Sequence, residues 1–164
     1  MDPEIVGLMG LNSLNEPPAL ADSKQKYRDA ILKYSSLDSD KRPAIVIDSG
    51  SYNYRAGWSF EEDPYLQFRT QVAKPKTFNK EISSNVALVG DEVSLFDQGR
   101  VATRTPYDSN VVYHVSSLES ILDYTFSHLG IYDSSVNFPI LMTEPFANPN
   151  YSRAMTSELM FECY

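Results

Sequence analysis

The chain has 164 residues, a hydrophobic share of 42%, an aromatic share of 12% and a formal net charge of −8. That length favours one domain able to bury about 70% of its unfolded surface, and the composition argues against wholesale disorder. The acidic balance argues against an autonomous nucleic-acid binder, no apolar run reaches the roughly 20 residues of a membrane span, and Asp2 and Glu4 stand where a secretory signal needs basic residues, so a cytosolic or nuclear setting is expected.

Residues 1–42 differ in character from the rest. They hold Pro3, Pro17 and Pro18 and read as a mobile leader with one amphipathic stretch, Ser23 to Tyr34, in which Tyr27, Ile31 and Tyr34 share a helical face. The domain proper is expected over residues 43–164. Its first strand, Ala44-Ile45-Val46-Ile47, is a run of β-formers without polar interruption, as in a strand covered on both faces. Asp48-Ser49-Gly50-Ser51 then makes a turn, and Tyr52 to Trp58 returns as a second strand, with Gly57 marking a bulge or a close backbone approach.

Such a turn offers successive backbone N–H groups, a flexible glycine and two hydroxyls at a strand end, and phosphate is the natural occupant. Gly50 lets the backbone come close, and Ser51 and the amides after it, Tyr52 first, face the anion. Arg55 reaches back with a charge-assisted fork, and Asp48 holds a hydrated divalent cation that bridges phosphate oxygens. A plain turn between two strands is the alternative reading.

Tyr65 to Val72 reads as a third strand, completing an antiparallel meander. Thr77 to Asn85 is a polar loop, and Val86 to Val89 resumes a short strand before Gly90-Asp91-Glu92, whose carboxylates have no spacing that demands catalysis. From Gly99 to His114 the chain reads as irregular. Ser116 to Gly130 is the clearest helix: Ser116 with Glu119 forms a capping-box pattern, Leu118, Ile121, Leu122, Thr125 and Leu129 line one face, and Gly130 supplies the stop. A helix feeding the apolar strand Phe138 to Thr143 implies parallel pairing with the first strand. The last helix, Tyr151 to Tyr164, is expected to bury Tyr151, Met155, Leu159 and Cys163. Cys163 has no partner for an internal disulfide, and His114 and His128 lack the companions of a metal site. The whole reads as α/β, a mixed sheet flanked by helices.

Four stretches in this order resemble the actin and actin-related protein family: Asp48-Ser49-Gly50-Ser51 with Arg55-Ala56-Gly57-Trp58; Val89-Gly90-Asp91-Glu92; Pro106 to Leu122; and Pro139 to Glu144 with Asn148-Pro149 and Met160-Phe161-Glu162. Within the family, the long leader, Leu122-Asp123-Tyr124-Thr125-Phe126, His128-Leu129-Gly130 and Tyr151-Ser152-Arg153 are similar to the nuclear class called actin-related protein five. The resemblance implies an actin-like (ribonuclease H-like) ATPase fold, of which this chain is the N-terminal portion, carrying the first phosphate turn while the second half of the fold lies downstream.

It also implies ATP or ADP with Mg in a full-length setting, bound through Asp48, Gly50, Ser51, Tyr52 and Arg55, with Asp48 meeting the metal through water. Hydrolysis by this chain is not expected, because phosphoryl transfer needs groups from both sides of a cleft. By the same resemblance the chain is a nuclear, non-filamentous scaffold of an INO-eighty type chromatin remodeller, serving transcription regulation and DNA repair. Its partners are remodeller subunits and, through them, nucleosomes, with no direct sequence-specific nucleic-acid contact and no membrane. The segment Thr77 to Asn85 lacks the Gly and Met content of actin's filament-gripping loop, which weighs against actin-type filaments. The alternatives are a conventional ATP-binding cytoskeletal actin, a non-functional truncated fragment, and a sugar kinase or chaperone ATPase of the wider superfamily.

Overall fold

The computed structural model describes residues 42–75, 87–95, 101–132 and 135–164. The leader up to residue 41 and the segment Thr77 to Asn85 lie outside the described residues. In chain order the strands are β1 (Ile45–Ser49), β2 (Asn53–Trp58), β3 (Leu66–Arg69), β4 (Val72–Pro75), β5 (Leu88–Val89), β6 (Val101–Arg104), β7 (Tyr107–Asp108) and β8 (Val111–Val112). A 3-10 turn, Gly90–Leu95, follows β5, and the chain closes with helix α1 (Val115–His128), strand β9 (Ile140–Met142) and helix α2 (Asn150–Cys163).

The larger sheet runs β3-β2-β1-β9. β1 pairs antiparallel with β2, β2 antiparallel with β3, and β9 lies parallel to β1 with Ile45 opposite Ile140. The expected meander and parallel fourth strand are therefore present, and the fold is α/β with a mixed sheet. A smaller antiparallel sheet, β5-β4-β6, stands beside it.

One face of the larger sheet makes the core. Ile45, Ile47 and Tyr54 are fully buried there against Leu118, Ile121 and Leu122 of α1, with Phe68 and Trp58 in the same cluster. Trp58 meets Phe138 edge to face, ring centroids 5.0 Å apart. Helix α1 exists because its apolar residues recur at three- and four-residue spacing, so one stripe is removed from water at roughly 25 cal/mol per Å². Its end is a Schellman motif: Gly130, at φ +85°, donates its N–H to the Ser127 carbonyl at 3.1 Å, and the Ile131 N–H reaches the Phe126 carbonyl at 2.9 Å.

Several expectations need correction. β1 is buried on one face only: Val46 is 36% exposed and its parallel neighbour Leu141 is 64% exposed, because α1 covers a single side and no described element covers the other. Gly57 makes no bulge, since the β1–β2 register is unbroken; a Cβ there would lie 3.0 Å from the Tyr65 backbone nitrogen, so it marks a close approach.

The strand read as Tyr65 to Val72 is divided: β3 ends at Arg69, the Thr70 N–H still bonds the Tyr52 carbonyl at 3.0 Å in the same register, and past Gln71 the chain crosses into the second sheet as β4. The stretch Gly99 to His114 is not irregular. It holds β6 and the two-residue hairpin β7–β8, whose central residues Ser109 (φ 49°) and Asn110 (φ 67°) both take the left-handed conformation of a type I′ turn.

The Ser116 capping box does not form, because the N-cap lies two residues earlier, at His114, which makes no side-chain cap. In α2 the buried residues are Ser152 and Leu159, while Tyr151 and Cys163 are exposed. The stripe is rotated because the small Ser152 takes the interior position. No described neighbour shields Cys163.

Candidate functional site

The turn after β1 is fixed from three directions. The Ser49 N–H donates to Thr143 Oγ1 just beyond β9 at 3.0 Å, while the Ser49 carbonyl accepts from the Tyr107 hydroxyl at 2.8 Å and the Ser49 and Tyr107 hydroxyls are in short contact. Thr70, at the corner between the two sheets, donates through Oγ1 to the Gly50 carbonyl at 2.7 Å. Ser51 Oγ donates to Asn110 Oδ1 of the β7–β8 turn at 2.6 Å. These holders, Thr70, Tyr107, Asn110 and Thr143, are distant in sequence, so no local pattern reveals them.

The five residues singled out in the sequence are divided between two recesses. Side-chain alternation puts Asp48 and Arg55, a cross-strand pair, on the open face, with Arg55 Nη1 2.9 Å from Asp48 Oδ2. Both are about half exposed, so the ion pair is worth about 0–1 kcal/mol and its role is positional. They line a recess of about 350 Å³ together with Glu61, Glu62 and Asp63. Four carboxylates around one guanidinium make a poor seat for an anion. Ser51 and Tyr52 line a separate recess of about 260 Å³ with Arg69, Thr70, Thr103 and Arg104. Gly50 belongs to the turn between them.

A magnesium ion is the metal that the resemblance implies. Asp48 is the one carboxylate of the turn, already joined to Arg55 and accepting from Thr143 Oγ1 at 3.2 Å, and no group of three His, Cys, Asp or Glu among the described residues is arranged for a metal. This donor set does not by itself fit a divalent cation, which asks for several oxygen ligands.

Behind the turn lies a set of buried phenols. Burial pushes Tyr54 and Tyr107 up from the ordinary tyrosine value, with the Tyr107 charge adding to the effect on Tyr54 and the Asp48 charge to that on Tyr107. The Tyr54 hydroxyl lies near those of Ser49 and Thr125 without a hydrogen bond of ordinary geometry to either. Burial, then Glu92 and Asp91, push Tyr124 up to about 12.

A raised phenol favours the neutral form in the folded chain, so its contribution is whole below the unfolded value near 10 and is lost as pH rises towards the folded one. Urea midpoints are therefore expected to hold steady from pH 7 to 9 and to fall between about pH 10 and 12. A midpoint unchanged at pH 11.5 would contradict this.

A further cavity, about 590 Å³, lies away from these recesses, along β9 and α2, lined chiefly by Phe138, Ile140, Met142 and Met160, with Ser49 and Tyr107 at its polar end. Nearby, Arg153 Nε donates to Glu144 Oε2 at 3.0 Å, and that hydrogen bond is the main cause holding the exposed Glu144 carboxyl below its usual value. The β9 edge away from β1 has no strand partner among the described residues.

The family model for actin matches residues 39–164. The chain is 43% identical over 124 residues to actin-related protein 5 of Arabidopsis thaliana, covering 73% of this chain and 17% of that protein. It is 42% identical over 137 residues to actin-related protein 5 of Dictyostelium discoideum, covering 83% and 19%, and 39% identical over 126 residues to that of Homo sapiens, covering 73% and 20%. The chain thus spans about a fifth of the length of the curated relatives it matches.

Proposed function

This chain belongs to the actin family, and from that premise we propose that it serves as part of a nuclear actin-related subunit of an INO-eighty type chromatin remodeller. Its role is that of a scaffold coupling a separate ATPase to nucleosomes, in transcription regulation and DNA repair. The observation that carries this reading is the 39–43% identity to actin-related protein 5 from a plant, a slime mould and a human.

On this reading any bound nucleotide is a structural ligand, and the chain is not itself an enzyme. One feature of the turn supports that: the Asp48 carboxylate is already held by Arg55 and Thr143. The acidic balance of −8 supports contact with chromatin through partner subunits, since direct DNA binding leans on Lys and Arg.

The test is affinity purification from nuclear extract of the protein tagged at its own locus, followed by mass spectrometry. Co-recovery of a remodeller ATPase in stoichiometric amount is expected. Recovery without one removes the remodeller assignment. Sedimentation after ATP addition separates the reading from a cytoskeletal actin, which would pellet as filaments.

A further inference from the structure

We propose that the recess between the turn and the second sheet binds a compact phosphate-bearing anion, held by Arg69 and Arg104 together with Ser51, and not by Arg55. The proposal rests on these side chains and is independent of the remodeller reading.

The contrast between the two recesses carries the argument. The recess beside Arg55 contains Asp48, Glu61, Glu62 and Asp63, so an anion entering it meets four like charges for one opposite charge. Among the described residues, the recess beside Ser51 is lined by Ser51, Tyr52, Arg69, Thr70, Gln71, Thr103, Arg104 and Thr105, which include two guanidiniums, four hydroxyls from Ser and Thr, and no carboxylate. In a chain of formal net charge −8, two arginines bordering one polar hollow, with no acidic side chain among the described residues of its lining, form a local field opposite in sign to the whole.

The hollow is also partly preorganised. The Arg69 guanidinium lies 4.5 Å from the centre of the Tyr52 ring, a cation–π contact that positions the fork, and among the described residues neither Arg69 nor Arg104 is paired with a carboxylate. Arg69 ends β3 of the larger sheet and Arg104 ends β6 of the smaller, so an anion between them is gripped from both sheets. Ser51 Oγ now donates to Asn110 Oδ1; a flip of the Asn110 amide reverses that bond and frees the hydroxyl hydrogen for the ligand. Arginine suits this work because its planar fork matches phosphate oxygens two at a time. All three residues are exposed, so the site is open to solvent.

The experiment is calorimetric titration of the full 164-residue chain with inorganic pyrophosphate at low ionic strength, repeated on Arg69→Ala, Arg104→Ala and Arg55→Ala. Wild-type binding is expected, weakened about tenfold or more by each of the first two and unchanged by the third. Absence of wild-type binding, binding unmoved by Arg69→Ala and Arg104→Ala, or binding lost only in Arg55→Ala would overturn the proposal.

Circular dichroism checks that each variant folds. Should Arg69→Ala fail to fold, Arg69→Lys, which keeps the charge and loses the fork, is expected to bind measurably more weakly than wild type, and equal binding would count against the site. A parallel titration with ADP identifies the source. Competition with pyrophosphate points to a nucleotide's phosphate tail, and its absence to a free phosphate compound; both outcomes support the anion site.

Discussion

Leu122→Ala is expected to lower the unfolding free energy by about 2–5 kcal/mol, the cost of a buried leucine replaced by a cavity. Leu122 is 0% exposed and sits with Leu118 and Ile121 on the stripe of α1 that faces Ile45, Ile47 and Tyr54. The side chains around it belong to a sheet and a helix that cannot both move inward, so the void stays open. Against a total stability of about 5–15 kcal/mol, that loss is a large fraction. Equilibrium urea unfolding followed by far-ultraviolet circular dichroism measures it. A midpoint equal to that of the parent chain would mean that α1 is not seated on this sheet.

Gly50→Ala comes next, with an expected loss of about 1–3 kcal/mol, the usual cost of forcing extra volume where none is free. A Cβ built at Gly50 lies 2.4 Å from the Asn53 carbonyl oxygen, a backbone atom that no rotamer change can remove. The turn must open instead. Opening it strains the hydrogen bond from Thr70 Oγ1 to the Gly50 carbonyl and displaces Ser51 from Asn110, so pyrophosphate affinity should fall along with stability. Ser51→Ala is the matched control: it removes one exposed hydrogen bond and should cost no more than about 1 kcal/mol while still weakening the anion. Equal stability of the Gly50→Ala chain and its parent would show that the turn tolerates a wider geometry.

What the sequence disclosed follows from which signals are local. The apolar stripe of α1 repeats over four turns, and the Gly130 stop is a single-residue signal, so both were legible. The β1–β2 hairpin was legible for the same reason, as apolar runs on either side of a turn. The β7–β8 hairpin was hidden because its left-handed pair is Ser109-Asn110 and lacks the glycine that usually marks a type I′ turn. The passage from β3 to β4 was hidden because no glycine or proline stands between Leu66 and Val72 to mark where the chain leaves one sheet for the other.

At the candidate site, spacing alone brought Asp48, Gly50, Ser51, Tyr52 and Arg55 to one turn. Strand alternation then set Asp48 and Arg55 on one side while the bend carried Ser51 to the other. Arg69 and Arg104 come from strands in different sheets, and no spacing rule joins them. The open side of β1 was misjudged because an uninterrupted apolar run looks the same whether one face is covered or two.

The buried indole of Trp58 makes the chain its own optical reporter. It is the single tryptophan among eleven tyrosines, 2% exposed and walled by Phe138 where β2 ends. Its emission in the native chain should therefore sit at short wavelength, fed by transfer from the surrounding phenols, and move to the red when β2 separates from Phe138.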